Sequence, residues 1–183
     1  SPQFPRATLD SACVFSIGSL PIIVKGIERG EGRIVTEVCF YQLKKHPLER
    51  TLPKLLEKVV ASGASAVIMA GSEEWVVTLN SMLWTYDPGA FLPHGCAADG
   101  HDNEQPLWLT TSPENPNGAS VLILIDGAYR EGLDGFEKCL EIFNGNDKQA
   151  LAQAREHQKT YEQAGYSLTY YEQTSQGRWR IRE

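Results

Sequence analysis

Apolar positions along this chain switch between a period of two and a period near 3.6, and the switches mark out alternating strands and helices. Thr36 to Leu43 (TEVCFYQL) interleaves Val38 and Phe40 with Cys39 and Tyr41. Both sets are apolar or aromatic, so the segment predicts a strand buried on both faces. A polar link, Lys44-Lys45-His46-Pro47, leads to Leu48, Leu52, Leu55, Leu56, Val59 and Val60 at helical spacing. Proline is tolerated in a first helical turn, so Pro53 predicts a helix starting near Arg50, and Ser62-Gly63 ends it. Ala64 to Ala70 (ASAVIMA) predicts a second buried strand. Gly71-Ser72 then caps a second helix, with Glu73 and Glu74 set against its positive end and Val76, Leu79 and Leu83 facing inward.

The second half repeats the alternation. Leu107 to Thr111 and Val121 to Asp126 predict strands, separated by the loop Ser112 to Gly118, and Gly127 to Asp134 is a further loop. Phe136 to Phe143 reads as another strand. Asn144 to Asp147 is a turn and cap for a helix from Lys148 to Ala164, closed by Gly165. Tyr166 to Tyr171 predicts a last edge strand and Gln173 to Glu183 a loose tail. Strand, helix, strand, helix implies right-handed parallel crossovers. The predicted class is α/β: a central, mostly parallel sheet with helices on both faces, Rossmann-like in topology.

Leu83 to His94 (LWTYDPGAFLPH) falls between these elements. Its aromatics, two prolines and Asp-Pro-Gly turn signal predict a structured loop. Aromatics held in such a loop either anchor a partner or fold back on the core.

Composition narrows the function. With 183 residues there is room for one domain with a real core. Seventeen basic against twenty-three acidic residues give a net charge of −6, which argues against an extensive nucleic-acid surface. Cys13, Cys39, Cys96 and Cys139 are widely spaced, as free thiols of a cytoplasmic protein are, and lack zinc-ligand spacing. No apolar run reaches the ~20 residues needed to cross a bilayer. Residues 1–34 differ from the rest and are expected to be an accessory or upstream-translated segment, with Val35 near the start of the domain and Leu20 to Lys25 a short extra strand. That segment lacks the pattern of a signal peptide.

Catalytic signatures are missing. Neither GxGxxG nor GxxxxGKS follows a predicted strand, so the topology comes without a phosphate loop, and no GxSxG elbow occurs. His94, Asp99, His101 and Asp102 form a weak metal-like spacing. It supports an alternative reading as a small nucleotide- or metal-dependent α/β enzyme using the 94–102 loop. The helix from Lys148 carries Lys148, Ala152, Arg155 and Lys159 on one face, a basic stripe on an acidic protein that suits an acidic peptide or a terminal carboxylate.

LWTYDPGAFLPH, the later NPNGASVLILID, the helix end AREHQKTYEQAGY and the opening TEVCFYQL together resemble the chi subunit of bacterial DNA polymerase III, in order and spacing, from Thr36 to Tyr171. The resemblance implies a 35–171 domain followed by a 172–183 tail, and a non-catalytic clamp-loader adaptor without cofactors. It implies a small psi-like partner at Trp84, Phe91, Leu92 and Pro93, and the acidic C-terminal tail of single-stranded DNA-binding protein at Phe143, Lys148, Arg155 and Lys159. A repair helicase gripping the Trp84/Phe91 surface is another partner of the same kind. Two positions depart from the family pattern: Gln158 stands where an aromatic is common, and Leu151 where a basic residue is. Lys148 and Lys159 would compensate.

Overall fold

The computed structural model describes residues 28–29, 33–34, 36–87, 89 and 92–182. The strand expected at Leu20 to Lys25 lies outside them. A small antiparallel pair, β1 (Glu28–Arg29) and β2 (Arg33–Ile34), precedes the main sheet. The elements that follow are β3 (Glu37–Leu43), α1 (Leu48–Ala61), β4 (Ala66–Met69), α2 (Glu73–Thr85), β5 (His94–Cys96), β6 (Leu107–Thr110), β7 (Val121–Leu124), β8 (Lys138–Asn144), α3 (Lys148–Gln163), β9 (Ser167–Gln173) and β10 (Trp179–Ile181). The sheet runs β10-β9-β3-β8-β7-β4-β6-β5, parallel from β9 to β5 with β10 antiparallel at one edge. This is the open α/β arrangement that the alternation predicts.

Period-two patterning sorts the strands' side chains into two cores. Cys39, Tyr41, Ala66, Ile68, Leu140 and Ile142 face α1 and α2, where Leu52, Leu55, Leu56 and Leu79 are fully buried. Each such leucine contributes about 1.5–3 kcal/mol. Val38, Phe40, Val67, Met69, Leu122 and Cys139 face the other way, toward Ala154 and Tyr161 of α3 and toward Leu133 and Phe136 of the β7–β8 connection. Helices therefore cover both faces, α1 and α2 on one and α3 on the other.

Several boundaries move from their expected places. α1 begins at Leu48 rather than near Arg50, because Pro47 sets the entry and its carbonyl accepts from the N–H groups of Arg50 and Thr51. Pro53 then lies in the second turn, and the carbonyl it leaves without a helical donor belongs to solvent-exposed Glu49. β5 arises inside a segment read as loop. Its three residues carry too little pattern to register, yet they pair in register with β6.

The largest correction is at the C-terminus. Residues read as a loose tail make a tight turn and then β10. Thr174 N–H donates to Arg178 O and Gly177 N–H to Thr174 O. Trp179 is 2% exposed and packs edge-on to Tyr41 with ring centroids 5.6 Å apart. β9 is consequently an interior strand and not the edge.

Candidate functional site

β3 and β8 are neighbours whose chains leave to opposite faces, β3 into α1 and β8 into α3. In doubly wound folds such a switch point is where ligands lie. A hollow of about 600 Å³ does open here, between Leu43 to Leu48 and Phe143 to Gln149, with Trp75 and Asp126 on its wall. Its phosphate-like position is already filled from within. The backbone N–H groups of Lys44, Lys45 and His46 converge on Gln173 Oε1 at 3.1, 2.8 and 2.9 Å. Asp147 Oδ1 accepts from Gln149 and Ala150 N–H and closes the start of α3. The donors that a phosphate would need are thus used by the protein itself.

The 94–102 loop offers no better centre for the enzyme reading. His94 is buried in β5, with Nδ1 2.7 Å from Leu92 O and Nε2 3.3 Å from Asn80 O, so neither ring nitrogen is directed at the loop. Asp99 is turned to the N–H of Cys96 and its thiol, while His101 sits exposed in the left-handed region. Among the described residues no three metal-binding side chains come together.

The α2 surface is built differently. Leu83 and Leu92 are 3% exposed and hold the start and end of the LWTYDPGAFLPH segment against the α1/α2 core. Leu92, assigned above to a partner surface, points into its own domain. Trp84 is 59% exposed, one residue along from Leu83 and on the other side of the helix. Its indole lies against the His94 ring, with centroids 4.7 Å apart. Asp87 Oδ1 accepts from Gly89 N–H, which tightens the turn after the helix. Pro93 is half-buried, and Phe91 lies outside the described residues. Val77, 68% exposed, precedes Trp84 by seven residues and shares its helical face. Sequence reasoning passed over Val77. The signal was the run Trp75-Val76-Val77, more apolar than a helix with one buried stripe needs.

The α3 surface faces the opposite way. Arg155 and Lys159 are exposed and line a hollow of about 320 Å³ with Ala152, Glu156, Gln158 and Glu162. Lys159 Nζ is 3.3 Å from Glu156 Oε1, an exposed pair. Lys148 is exposed at the start of α3, about 10 Å along the axis from Arg155. Phe143 does not join them. It is buried at the end of β8, edge-on to Tyr170, and lines the switch-point hollow instead. Apolar and aromatic side chains near Arg155 come from β9 and its flank. Tyr166, Leu168 and Tyr170, with Phe40 and Arg182, line a second hollow of about 290 Å³ that shares Gln158 and Glu162 with the first. Gln158, the departure from the family pattern, sits between the two hollows.

Beneath α3, Glu141 of β8 accepts from His157 Nδ1 at 2.7 Å. Burial pushes the Glu141 carboxyl above its ordinary value, against the pull of the His157 hydrogen bond. Tyr129 covers the imidazole at 5.0 Å. This pair ties α3 to the sheet, with the Glu141 side chain 4% and the His157 side chain 16% exposed.

The family model for the DNA polymerase III chi subunit, HolC, matches residues 35–169 of the chain. The chain belongs to this chi family. A probable DNA polymerase III subunit chi from Rickettsia prowazekii (strain Madrid E) is 31% identical over 93 residues, covering 51% of this chain and 56% of that protein. The chain thus matches little more than half the length of that relative. The family takes its name from a subunit of DNA polymerase III. The chi match takes in the α2 surface and all of α3, but stops inside β9. β10 and Arg182 lie beyond it.

Proposed function

We propose that the chain is a non-catalytic replication adaptor that ties a clamp loader to single-stranded DNA-binding protein. The observation that carries this reading is the placement of its two surfaces. The exposed Val77–Trp84 face of α2 lies on one side of the sheet and the basic groove of α3 on the other, so two partners can be held at once. A psi-like subunit suits the first surface, where an exposed tryptophan supplies the kind of anchor that dominates interface energies. Phe91 and Pro93 would extend it. The acidic C-terminal tail of single-stranded DNA-binding protein suits the second, where Arg155 and Lys159 stand beside an aromatic hollow with Lys148 further along the helix. The net charge of −6 favours contact with the protein that coats DNA over contact with DNA.

The test is a titration with a labelled peptide ending Asp-Ile-Pro-Phe. Binding is expected with Kd on the order of 1–10 µM, weakening with salt, and reduced roughly tenfold or more by Arg155→Ala. The peptide should still bind when the α2 face is occupied by a co-purified partner. No detectable binding to the intact protein overturns the tail-receptor assignment. A repair helicase on the α2 face would be recovered in the same co-purification.

A further inference from the structure

The peptide groove proposed above is lined in part by a segment outside the family match. Resting on that reading, we propose that Arg182, just after β10, receives the terminal carboxylate of the bound peptide, while Arg155 and Lys159 take acidic side chains upstream.

The argument starts from strand register. β10 alternates Arg178, Trp179, Arg180, Ile181 and Arg182. Trp179 pairs with Gln173 and Ile181 with Tyr171, on the α1 face where Trp179 meets Tyr41. Alternation therefore turns Arg180 and Arg182 to the α3 face. Arg182 N–H donates to Tyr170 O at 2.8 Å, which continues the ladder one residue past the strand. Tyr170 in turn pairs with Phe40 of β3, their rings stacked with centroids 6.0 Å apart. Phe40, Tyr170 and Arg182 thus form one row across three strands, at the floor and rim of the 290 Å³ hollow.

The two arginines on this face are not equivalent. Arg180 Nε and Nη2 are 3.2 and 2.8 Å from Glu172 Oε2, so its charge is matched. Arg182 has no carboxylate partner among the described residues. Its guanidinium lies over the Tyr170 ring at 5.5 Å and hydrogen-bonds that side chain, which still leaves further N–H groups of the fork for a carboxylate. The phenol beneath is fixed by a 2.7 Å bond to Gln42 Oε1. Burial pushes the Tyr170 hydroxyl up, while the Arg182 and Arg155 guanidiniums pull it down.

Position then assigns the roles. The hollow holding Arg182 is the one with aromatic side chains in its lining, Phe40, Tyr166 and Tyr170 beside Leu168, so an arginine at its rim would meet the carboxylate borne by a terminal residue that packs on those rings. Arg155 and Lys159 line the neighbouring hollow, whose lining side chains are mostly charged, where the preceding residues would lie. Glu162 borders both hollows and opposes an anion, which a second guanidinium offsets.

The experiment uses the full chain and fluorescence anisotropy with two labelled peptides, one ending in a free carboxylate after Asp-Ile-Pro-Phe and the other amidated there. Wild type should lose roughly tenfold in affinity on amidation. Arg182→Ala should weaken the free-acid peptide by a similar factor, and amidation should then cost it little more. Arg180→Ala should stay within about twofold of wild type, and Glu162→Gln should tighten binding. Circular dichroism and the thermal midpoint of Arg182→Ala should match wild type. If Arg182→Ala binds the free-acid peptide as wild type does, or keeps the full penalty on amidation, the carboxylate role is overturned while the groove stands. If wild type binds neither peptide, the groove and this assignment both fall. Loss of the fold in Arg182→Ala would refer the test to Arg182→Lys, which keeps the charge and the stem. An amidation penalty undiminished in that variant would overturn the planar-fork contact.

Discussion

The indole of Trp84 rests on the buried imidazole of His94, ring centroids 4.7 Å apart, while more than half of its surface stays in solvent. The tryptophan is thus presented by the fold and not consumed by it. Trp84→Ala should change stability by less than about 1 kcal/mol, because an exposed ring gives up little burial. Co-purification with a psi-like partner should be lost. Wholesale unfolding, read by circular dichroism, would return Trp84 to a core role.

Val77 extends the same face by two helical turns. Val77→Asp should leave the thermal midpoint within about 2 °C of wild type, since a residue 68% exposed has little packing to lose. It should weaken partner capture nearly as much as Trp84→Ala. Undiminished capture would confine the interface to the Trp84 end of α2.

Gln173 Oε1 serves three backbone N–H groups and its residue is 1% exposed. Gln173→Ala should destabilise by about 1–3 kcal/mol, the cost of stranding buried donors. Added phosphate should not restore the loss if the turn collapses on itself. Gln173→Glu keeps the acceptor and should recover most of the stability in denaturant titrations. Equal stability of Gln173→Ala and wild type would show that water replaces the amide.

Glu141 gives the fold a pH dependence of defined sign. Burial holds its carboxyl above the ordinary 4.5, so the folded state binds this proton more readily than the unfolded chain. The cost of the buried charge is therefore fully present above the raised value and relieved as pH falls through it toward 4.5. Glu141→Gln, which still accepts from His157, should gain most over wild type at alkaline pH, and the gap should narrow on acidification. A difference in thermal midpoint that is flat between pH 8 and 5 would contradict the shift.

Much of this protein was legible because its central strands are apolar runs and α2 and α3 carry side-chain caps. Ser72 and Asp147 accept from the first N–H groups of α2 and α3, as their types and positions foretell. Arg155 lay on a regular basic stripe, while Trp84 was singled out by what the family resemblance implies. Leu92 and Phe143 were assigned by position in a motif, and motif position does not say which way a side chain turns. Both are interior. The apolar and aromatic lining beside Arg155, Phe40, Tyr166, Leu168 and Tyr170, comes from β3 and from β9 with the residue before it, far apart in the chain, so no spacing rule links it to Arg155.

Sequence alone determined the α/β class, the order of its principal elements and the absence of a glycine-rich phosphate loop, because each depends on local period and residue type. Tertiary structure decided what fills the place of that loop, and which residues meet. Gln173 reaches it from 127–129 positions away, and β10 becomes an edge strand only because Trp179 finds Tyr41. The W-R-I-R alternation was present in the sequence throughout. It gains meaning only when pairing with β9 turns Arg182 toward the same hollow as α3, since the face a strand residue occupies is fixed by its partner's register.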